Sequence, residues 1–502
     1  MESFDVAVIG SGIGGLVAAG LLARYGRRVL LCESHTLAGG AAHAFERQGF
    51  TFDSGPSFYC GLGDSTSSNP LREVLEILEE PLEAVAYDPL GHYHFPDRTL
   101  GIYGEAQRYQ QSVAEVLGEL AAAELAALTD KMLQLYRPLG QIPTLALRAD
   151  GWLLPQLLMR YPQAMVQLLP QLRNLGRSMG DFVDRTVSDP WLRRLIDLEC
   201  FLLSGMKAHD TVAPEMAFMF GERSQSVIDY PIGGSGAIVD ALVRGFQRWG
   251  GTLRLGTHVE KIWVEQGKTK GIVLRSGQRI EAPTVISNAT LWDTYTQLLA
   301  PQDLPPSYRQ QALDTPAVDS FMHLHLGIRA AGLDDLTIHH VVVHSTESDV
   351  TAPGNTCMIS IPSVLDPSLA PPGYHVVHAY TLEPWSGWQR DENYKTRKQE
   401  RARPLLKAVQ RVIPDVCDRI KLQLIGTPLT HQRFLRRYRG TYGPAIAAGQ
   451  GLFPGCRTPI PGLYRVGDST LPGIGVPAVA ASGILCANSL VSPREAAALL
   501  PS

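Results

Sequence analysis

Six consecutive residues near the amino terminus have the spacing of a pyrophosphate-binding turn: Gly10, Ser11, Gly12, Ile13, Gly14 and Gly15. They fit the pattern Gly-x-Gly-x-x-Gly. Its first glycine permits a tight turn, its second lets the backbone approach a pyrophosphate, and its third lets a helix pack closely on a sheet. The free N–H groups at the start of that helix would bind the phosphates. The spacing alone is a weak signal. The interpretation as a pyrophosphate-binding turn requires a strand before the glycines and a helix after them.

The elements that flank this turn are those that a dinucleotide-binding unit needs. Residues 5–9 predict a buried strand, the residues after the turn predict an apolar helix, and residues 28–32 predict a second strand. Glu33 ends the second strand, where a carboxylate can bind both ribose hydroxyls of an adenosine. The same charge would repel a 2′-phosphate, which disfavours NADP. We therefore predict that Glu33 and the adjacent Ser34 bind the adenosine half of a dinucleotide.

A second glycine-rich stretch follows, and it indicates whether the dinucleotide is FAD or NAD. Residues 39–42 (Gly-Gly-Ala-Ala) come soon after the second strand, and residues 55–57 (Gly-Pro-Ser) follow further on. The run resembles the extended dinucleotide motif of the FAD-binding amine oxidase and phytoene desaturase superfamily, which plain NAD dehydrogenases lack. This resemblance implies that FAD is the cofactor and that Gly40, Ala41 and Ser57 contact it.

The carboxyl-terminal part of the chain carries the other half of such a site. A predicted strand ends in Gly467 and Asp468, and a glycine run then leads through Gly475 and Val476 into an apolar helix. The Asp468 carboxylate can accept a hydrogen bond from a ribityl hydroxyl. The start of the helix can approach the flavin pyrimidine ring, where a reduced flavin carries negative charge. By resemblance to the same superfamily, Val259 in a middle strand is assigned to the adenine pocket.

Several segments resemble one branch of that superfamily, the carotenoid isomerases and phytoene desaturases. Residues 439–444 and the carboxyl-terminal block match most closely, and residues 197–201 and 385–388 are similar to pieces of carotene cis–trans isomerases. One departure is Pro477, which is more typical of a desaturase. The resemblance implies an enzyme that isomerises a carotenoid or related polyene with reduced flavin. Desaturation or saturation with net hydride transfer stays open as an alternative.

Two further functions belong to the same fold. An amine oxidase needs an aromatic cage beside the flavin, and no aromatic pair is evident next to the carboxyl-terminal motif. Rab GDP-dissociation inhibitors also resemble this fold, and they are prenyl-lipid escort proteins without flavin chemistry. The intact Glu33 and Gly467-Asp468 motifs argue against that class.

Length and pattern predict two domains in an α/β fold. A chain of 502 residues is too long for one core. We predict a discontinuous Rossmann-type FAD-binding domain and a substrate domain made of a mixed β-sheet and helices. The FAD-binding domain comprises residues 1–100, 226–300 and 441–502, and the substrate domain has a helical, membrane-facing part at 101–225 and a β-sheet part at 301–440. The proline-rich stretch 352–373 is expected to be a surface loop.

Composition restricts the partners and the compartment. The net charge is −4, so no bulk positive charge recruits nucleic acid. The seven cysteines are scattered without the spacing of a metal site, which predicts reduced thiols and a cytoplasmic protein. Neither a signal peptide nor an apolar stretch long enough to span a membrane is evident. The oligomeric state is not indicated by these features.

One segment suits a substrate that dissolves in membranes. Residues 152–173 are rich in leucine and methionine and contain Arg160 and Arg173. This composition is typical of an interfacial segment, although a helical layer packed on the core would have it too. We predict a peripherally membrane-associated enzyme whose lipid contacts include Leu157 and Leu158.

The sequence assigns no catalytic residue. Cys200 with His209 could form a nucleophilic pair, but a core thiol and a surface histidine are the simpler interpretation. His323 and His325 share one face of a predicted strand, yet two histidines without a carboxylate make a poor metal site, so no metal is predicted. Three acids could relay protons, and the sequence does not rank them: Glu199, Asp210 and Glu222.

Overall fold

Two large β-sheets and a layer of helices make up the protein, whose computed structural model describes residues 2–55, 58–64, 66–225 and 228–500. One sheet is parallel with helices packed on it, and the other is mixed. This arrangement confirms the predicted α/β class with a Rossmann-type unit.

The parallel sheet, called here the cofactor sheet, draws its five strands from distant parts of the chain. In spatial order they are Thr252–Arg254, Val29–Cys32, Val6–Ile9, Thr284–Ser287 and Leu463–Arg465. Two central strands are buried throughout, because a parallel sheet is covered on both faces. Helix Ile13–Arg24 packs on the sheet and contacts helices Gly234–Arg248 and Val476–Ser489.

A smaller sheet covers the other face of the cofactor sheet. Its order is Glu2–Ser3, Arg279–Glu281, Lys268–Leu274 and Val259–Glu265. Buried residues such as Val259, Ile272 and Ile280 form one apolar cluster with Ala7 and Leu30 of the cofactor sheet. The middle and the amino-terminal parts of the chain are therefore held together by a shared core.

The mixed sheet has seven strands. Their spatial order is Ile420–Gly426, Ser320–Arg329, Tyr374–Glu383, Thr356–Ser360, His339–Val343, Gly91–His94 and Thr99–Ile102. Its apolar face packs against helix Tyr394–Val412, with Leu324, Leu326, Val377 and Ala379 in the same cluster. Because side chains alternate along a strand, the intervening polar and aromatic residues share the opposite face.

Three strands of the mixed sheet lie in segments for which the sequence predicted another domain or a surface loop. Gly91–His94 falls in the range 1–100 assigned to the cofactor-binding domain, and Thr99–Ile102 crosses the end of that range, yet the first of them pairs with His339–Val343, far along the chain. The predicted surface loop at 352–373 contains the fully buried strand Thr356–Ser360, because its prolines flank the strand without interrupting it. The other domain boundaries stay a prediction.

Residues 101–225 are mostly helical, as expected. The helices are Ala106–Leu117, Glu119–Gly140, Leu153–Arg160, Pro162–Leu168, Met179–Thr186, Pro190–Ser204 and Ala213–Gln225. Leu128, Met132, Leu198 and Phe220 lie in their common core. Among the described residues, none of the helices combines the length and apolar character needed to cross a bilayer.

Shorter elements complete the fold. The remaining helices are Pro70–Ile77, Leu291–Asp293, Pro306–Leu313, Val416–Arg419, Pro428–Leu435 and Pro493–Ala497. Two strand pairs complete the set, Ala44–Arg47 with Phe50–Asp53 and Ala84–Ala86 with Asp229–Pro231.

Candidate functional site

A cavity of about 750 Å³ lies at the carboxyl ends of the central cofactor-sheet strands, where ligands bind in open α/β sheets. It brings together motifs from both ends of the chain. The predicted residues that line it are Gly10, Gly12, Ile13, Gly14, Glu33, Ser34, Gly40, Ala41, Val259, Gly467, Asp468, Gly475 and Val476.

Of the predicted site residues that the structure describes, only Gly15 does not line this cavity. Gly15 lies behind the turn, where a Cβ would come within 2.3 Å of the carbonyl oxygen of Gly10. The absence of a side chain on Gly15 lets the helix pack closely on the turn, and the contact of Gly15 with the dinucleotide stays a prediction. Ser57 lies outside the described residues, so its assignment stays a prediction.

The amino-terminal turn touches the carboxyl-terminal motif directly. A Cβ on Gly14 would lie 2.9 Å from the backbone nitrogen of Gly467 and 3.1 Å from the carbonyl oxygen of Val479. Any side chain at this position would therefore separate the two motifs.

Asn288 is a cavity residue that the sequence analysis missed. A Cβ on Gly12 would lie 2.5 Å from Nδ2 of Asn288, and one on Gly467 would lie 2.6 Å from its Oδ1. Its backbone N–H donates to the carbonyl of Ile9 at 2.9 Å. Asn288 directly follows the strand Thr284–Ser287, so the rule that ligands bind at strand ends could have identified it.

Two helices begin at the cavity wall with their first N–H groups uncapped by side chains. Helix Ile13–Arg24 starts after Gly12 and helix Val476–Ser489 after Gly475, and neither glycine can supply a capping oxygen. Uncapped helix starts offer N–H donors and a positive dipole end. The cavity thus suits a ligand with anionic groups.

Glu33 is fixed at the cavity wall by four hydrogen bonds. Its Oε2 accepts from the backbone N–H and the hydroxyl of Ser11, both at 2.8 Å. Its Oε1 accepts from the N–H of His35 at 2.8 Å and from the hydroxyl of Ser34 at 3.3 Å. These bonds fix the position of the carboxylate at the cavity wall.

Asp468 has an ionic partner that the sequence did not indicate. Its Oδ2 is paired with the guanidinium of Arg437, and its Oδ1 accepts from the hydroxyl of Ser469 at 3.0 Å. Arg437 also donates to the carbonyl of Thr441 at 2.7 Å. A carboxylate accepts about four hydrogen bonds, so Asp468 keeps acceptor capacity for a ribityl hydroxyl.

Aromatic side chains lie beside the carboxyl-terminal motif, contrary to the impression from the sequence. Tyr442 lines the cavity, and its ring packs against Phe321 with centroids 4.6 Å apart at 61°. The edge-to-face contact leaves no gap between these rings, so this pair does not form the cage that an amine substrate needs. The contact joins residues far apart in sequence, which is why it was missed.

A cluster of buried histidines lies between the mixed sheet and the cavity. His431 lines the cavity, and its Nε2 lies 2.7 Å from Nε2 of His323. Nδ1 of His323 lies 2.8 Å from Nε2 of His378. Nε2 of His325 lies 3.2 Å from the carbonyl oxygen of Asp53. Only His323 and His325 were noticed in the sequence.

The cluster brings ring nitrogens of His323, His325 and His378 within 4.8 Å of one another, as a metal site would. However, the rings of His325 and His378 are stacked, 4.4 Å apart and 5° from parallel. A histidine binds a metal in the plane of its ring, and two stacked rings share no such plane. This geometry does not suit a common ion, and the absence of a metal stays a prediction.

The pKa of His325 leads to a prediction about stability. Burial lowers this pKa from 6.5 to about 4. Between these values the unfolded chain binds more protons than the native one, so the stability present above pH 6.5 is lost as the pH falls. We expect the free energy of unfolding to lose about 2 kcal/mol through this residue at about pH 5.

Urea unfolding of His325→Phe and the unmodified protein at neutral and acidic pH measures this term. The difference between their stabilities should shift by that amount in favour of the variant on acidification. His209→Gln, at an exposed position, is the control for the loss of one histidine. Parallel pH profiles for His325→Phe and the unmodified protein would contradict the prediction.

The other catalytic candidates lie away from the cavity. Burial raises the pKa of the Cys200 thiol, and His209 lies beside Asp184 at 3.7 Å, which agrees with a core thiol and a surface histidine. Glu199 pairs with Arg223 at 3.0 Å. Glu222 accepts hydrogen bonds from Ser67, Ser68 and Tyr136. These two acids and Asp210 do not line the cavity.

Comparison with known proteins gives consistent results over the whole chain. Residues 13–491 match the family model described as flavin containing amine oxidoreductase. The chain is 35% identical to prolycopene isomerase 1, chloroplastic, of an Oncidium hybrid cultivar, covering 98% of this chain and 84% of that protein.

Two relatives of lower sequence identity are named for other reactions, a reduction and a desaturation. The chain is 27% identical to the all-trans-retinol 13,14-reductase of Danio rerio, covering 98% of this chain and 87% of that protein. It is 26% identical to the neurosporene-forming phytoene desaturase of Rhodobacter capsulatus, covering 96% and 93%. The solved structure of putrescine oxidase with putrescine superposes with a TM-score of 0.64 at 16% identity, covering 97% of this chain and 99% of that one, which supports the fold.

Proposed function

Because the chain belongs to the flavin-containing amine oxidoreductase family, and within it to the carotenoid isomerase and desaturase branch, we propose that it binds FAD and isomerises cis double bonds of a carotenoid. Membership makes it a flavin-dependent, oxidoreductase-type enzyme, in place of the flavin-free escort protein considered above. The observation that carries the proposal is its similarity to a prolycopene isomerase along nearly the entire chain.

Three features of the cavity support FAD as the flavin that it would bind. Glu33 would bind the adenosine ribose, and the uncapped helix starts after Gly12 and Gly475 would face the anionic and electron-rich parts. Asp468 would accept from the ribityl chain. Gly40 also supports FAD binding. A Cβ there would lie 3.0 Å from the Cα of Gly12 and would reduce the space for the dinucleotide between the two loops.

Replacing Glu33 by alanine tests whether its carboxylate binds the adenosine half of FAD, because FMN lacks that half. We expect Glu33→Ala to weaken FAD binding by about tenfold to a hundredfold, because the charged contact with the ribose is lost together with the bonds that hold Ser11 of the turn. Binding of FMN, which lacks the adenosine, should be unchanged. Titration of the flavin-free protein with each flavin, followed by fluorescence, gives both affinities. An equal loss for FMN and FAD would place the adenosine elsewhere.

The residues of this chain would position the polyene and keep water away from it. Bound reduced flavin supplies the reversible reduction or protonation that lowers the double-bond order. Tyr442 and Ile474 line the cavity near Asp468, and both belong to the apolar cluster that contains Phe321. These side chains can hold an apolar chain in a dry environment, which isomerisation and hydride transfer both require.

Anaerobic incubation with prolycopene tests the proposal. With reduced flavin, we expect products of equal mass and altered double-bond geometry, separated by chromatography. With oxidised flavin, turnover should be absent. Conversion without reduced flavin, or no conversion of any carotenoid by the flavin-loaded protein, would contradict the proposal.

A net redox reaction is the second candidate. The phytoene desaturase and retinol reductase relatives favour it, as does Pro477, which lies in the first turn of helix Val476–Ser489. Mass spectrometry in the same experiment distinguishes the reactions. A product lighter by two hydrogens indicates desaturation, and one heavier by two hydrogens indicates saturation.

The segment predicted to contact membranes has an exposed apolar surface. The side chains of this surface are exposed by 51% to 77% and are Trp152, Leu154, Leu158, Met159, Val166, Leu169 and Leu172. Exposed Arg160 and Arg173 lie among them. This pattern supports peripheral membrane contact as part of the proposed function. The expectation for Leu157 is wrong, because Leu157 is buried in a cluster with Ile142 and Ala146.

A further inference from the structure

Three buried histidines form a hydrogen-bonded chain that begins at the wall of the cofactor cavity, in the order His431, His323, His378. The planes of successive rings differ by 18° and 14°. The nitrogens of successive rings lie 2.7 and 2.8 Å apart, which is hydrogen-bond distance, so a proton can pass along each contact.

Each end of this histidine chain has a nitrogen that its internal hydrogen bonds do not use. At the cavity end this is Nδ1 of His431, since Nε2 is engaged with His323. At the other end, Nδ1 of His378 is buried and has no hydrogen-bond partner within the described part of the protein. A neutral imidazole has one N–H and one lone pair, so both hydrogen bonds can reverse their direction together.

We infer that this histidine chain is a proton relay that takes one proton from the cofactor cavity at His431 when negative charge develops there, and later returns it. The arriving proton binds Nδ1 of His431. The Nε2 proton of His431 then passes to Nε2 of His323, and the Nδ1 proton of His323 passes to Nε2 of His378. One positive charge moves from His431 to His378, no electrons are transferred, and the return follows the same steps backwards.

The surroundings keep the relay neutral until such a charge is present. Burial, with the charge of Arg437 and the neighbouring His325 and His43, lowers the pKa of His431 to about 3. Burial likewise lowers the pKa of His323 and His378. On the neighbouring strand, the ring of Tyr380 packs on His323 and on His378, with centroids 5.8 and 5.0 Å apart.

The acids near the relay are already engaged. Asp468 is paired with Arg437, and the Asp53 carboxylate accepts from Ser235 and Tyr230, while its carbonyl faces His325. A new negative charge in the cavity is therefore what would load the relay. A reduced flavin provides one. The inference rests on the flavin of the proposed function and does not need the carotenoid.

Counting protons during flavin reduction tests the relay without any substrate. The flavin-loaded protein is reduced anaerobically in weak buffer with a pH indicator, and the absorption spectrum shows how many protons the reduced flavin itself carries. We expect the unmodified protein to take up about one proton more per flavin than that number. His323→Gln keeps a hydrogen-bonding side chain but cannot pass protons, and it should lose the excess. His323→Phe serves the same purpose if His323→Gln does not fold.

His325→Phe is the matched control, because His325 is equally buried and stacked on His378 but lies outside the hydrogen-bonded order. It should keep the extra proton. No excess in the unmodified protein, or an excess that persists in the His323 variants, would overturn the relay. Loss of the excess in His325→Phe would also overturn it, because the effect would then follow burial alone. A failure to isomerise prolycopene leaves this count unaffected, so the two proposals fail separately.

Discussion

Gly14→Ala is expected to give a folded protein that has lost its flavin. The added Cβ would lie 2.9 and 3.0 Å from backbone atoms of Gly467 and 3.1 Å from the carbonyl of Val479. Backbone atoms cannot rotate away as a flexible side chain can, so helix Ile13–Arg24 must move relative to the Gly467-Asp468 turn. Both helix starts at the cavity would be displaced. We expect affinity for FAD to fall more than a hundredfold, or about 3 kcal/mol.

The flavin absorbance per mole of purified protein, followed by titration of the flavin-free form with FAD, measures this loss. Gly176→Ala is the matched control, because a Cβ at Gly176 meets no heavy atom within 4 Å. Circular dichroism and urea unfolding show whether each variant is folded. A Gly14→Ala protein as yellow as the unmodified one would refute the proposal that the two ends of the chain enclose a flavin.

The parts of the site that sequence reasoning identified have local signals. The turn at residues 10–15 and Glu33 lie within one strand–helix–strand unit, so a fixed spacing describes them. The Gly467-Asp468 and Gly475-Val476 motifs likewise depend on a short strand, a turn and a helix start. In each case neighbouring residues determine the backbone geometry, and a sequence pattern is enough to indicate it.

The parts that were missed depend on contacts between distant segments. Arg437 faces Asp468 because helix Pro428–Leu435 ends beside the cavity, which no local pattern reveals. His431 and His378 join His323 through strand pairing and helix placement across gaps of 108 and 55 residues. Sequence alternation correctly placed His323 and His325 on one face, but it could not supply the residues opposite that face.

The apolar segment at 152–173 shows the same limit at the level of single residues. Its composition indicated an interfacial surface but did not separate buried from exposed leucines. The structure makes this separation: Leu157 is 8% exposed, whereas the adjacent Leu158 is 53% exposed. The segment is divided into short helices, two of which begin at Pro162 and next to Pro170, so no continuous helical period was present from which the faces could be read.

Replacing Leu154, Leu158 and Met159 by serine is expected to release the protein from membranes. These side chains are exposed by 57%, 53% and 77%, so their removal costs little folding stability. Each would transfer apolar surface into the lipid, worth about 1 kcal/mol for a partly buried side chain. Their combined loss should weaken binding to liposomes about a hundredfold.

Co-sedimentation with liposomes of neutral phospholipid, with and without anionic lipid, measures the effect. The matched control replaces three other exposed leucines, Leu37, Leu120 and Leu255, which are 42%, 64% and 42% exposed and lie outside residues 152–173. It should bind as the unmodified protein does. Because the triple variant leaves the cavity intact, its flavin content should stay normal, and its turnover should fall for prolycopene in liposomes but not for prolycopene in detergent. Unchanged sedimentation of the triple variant, or an equal loss in the control, would show that this surface does not bind lipid.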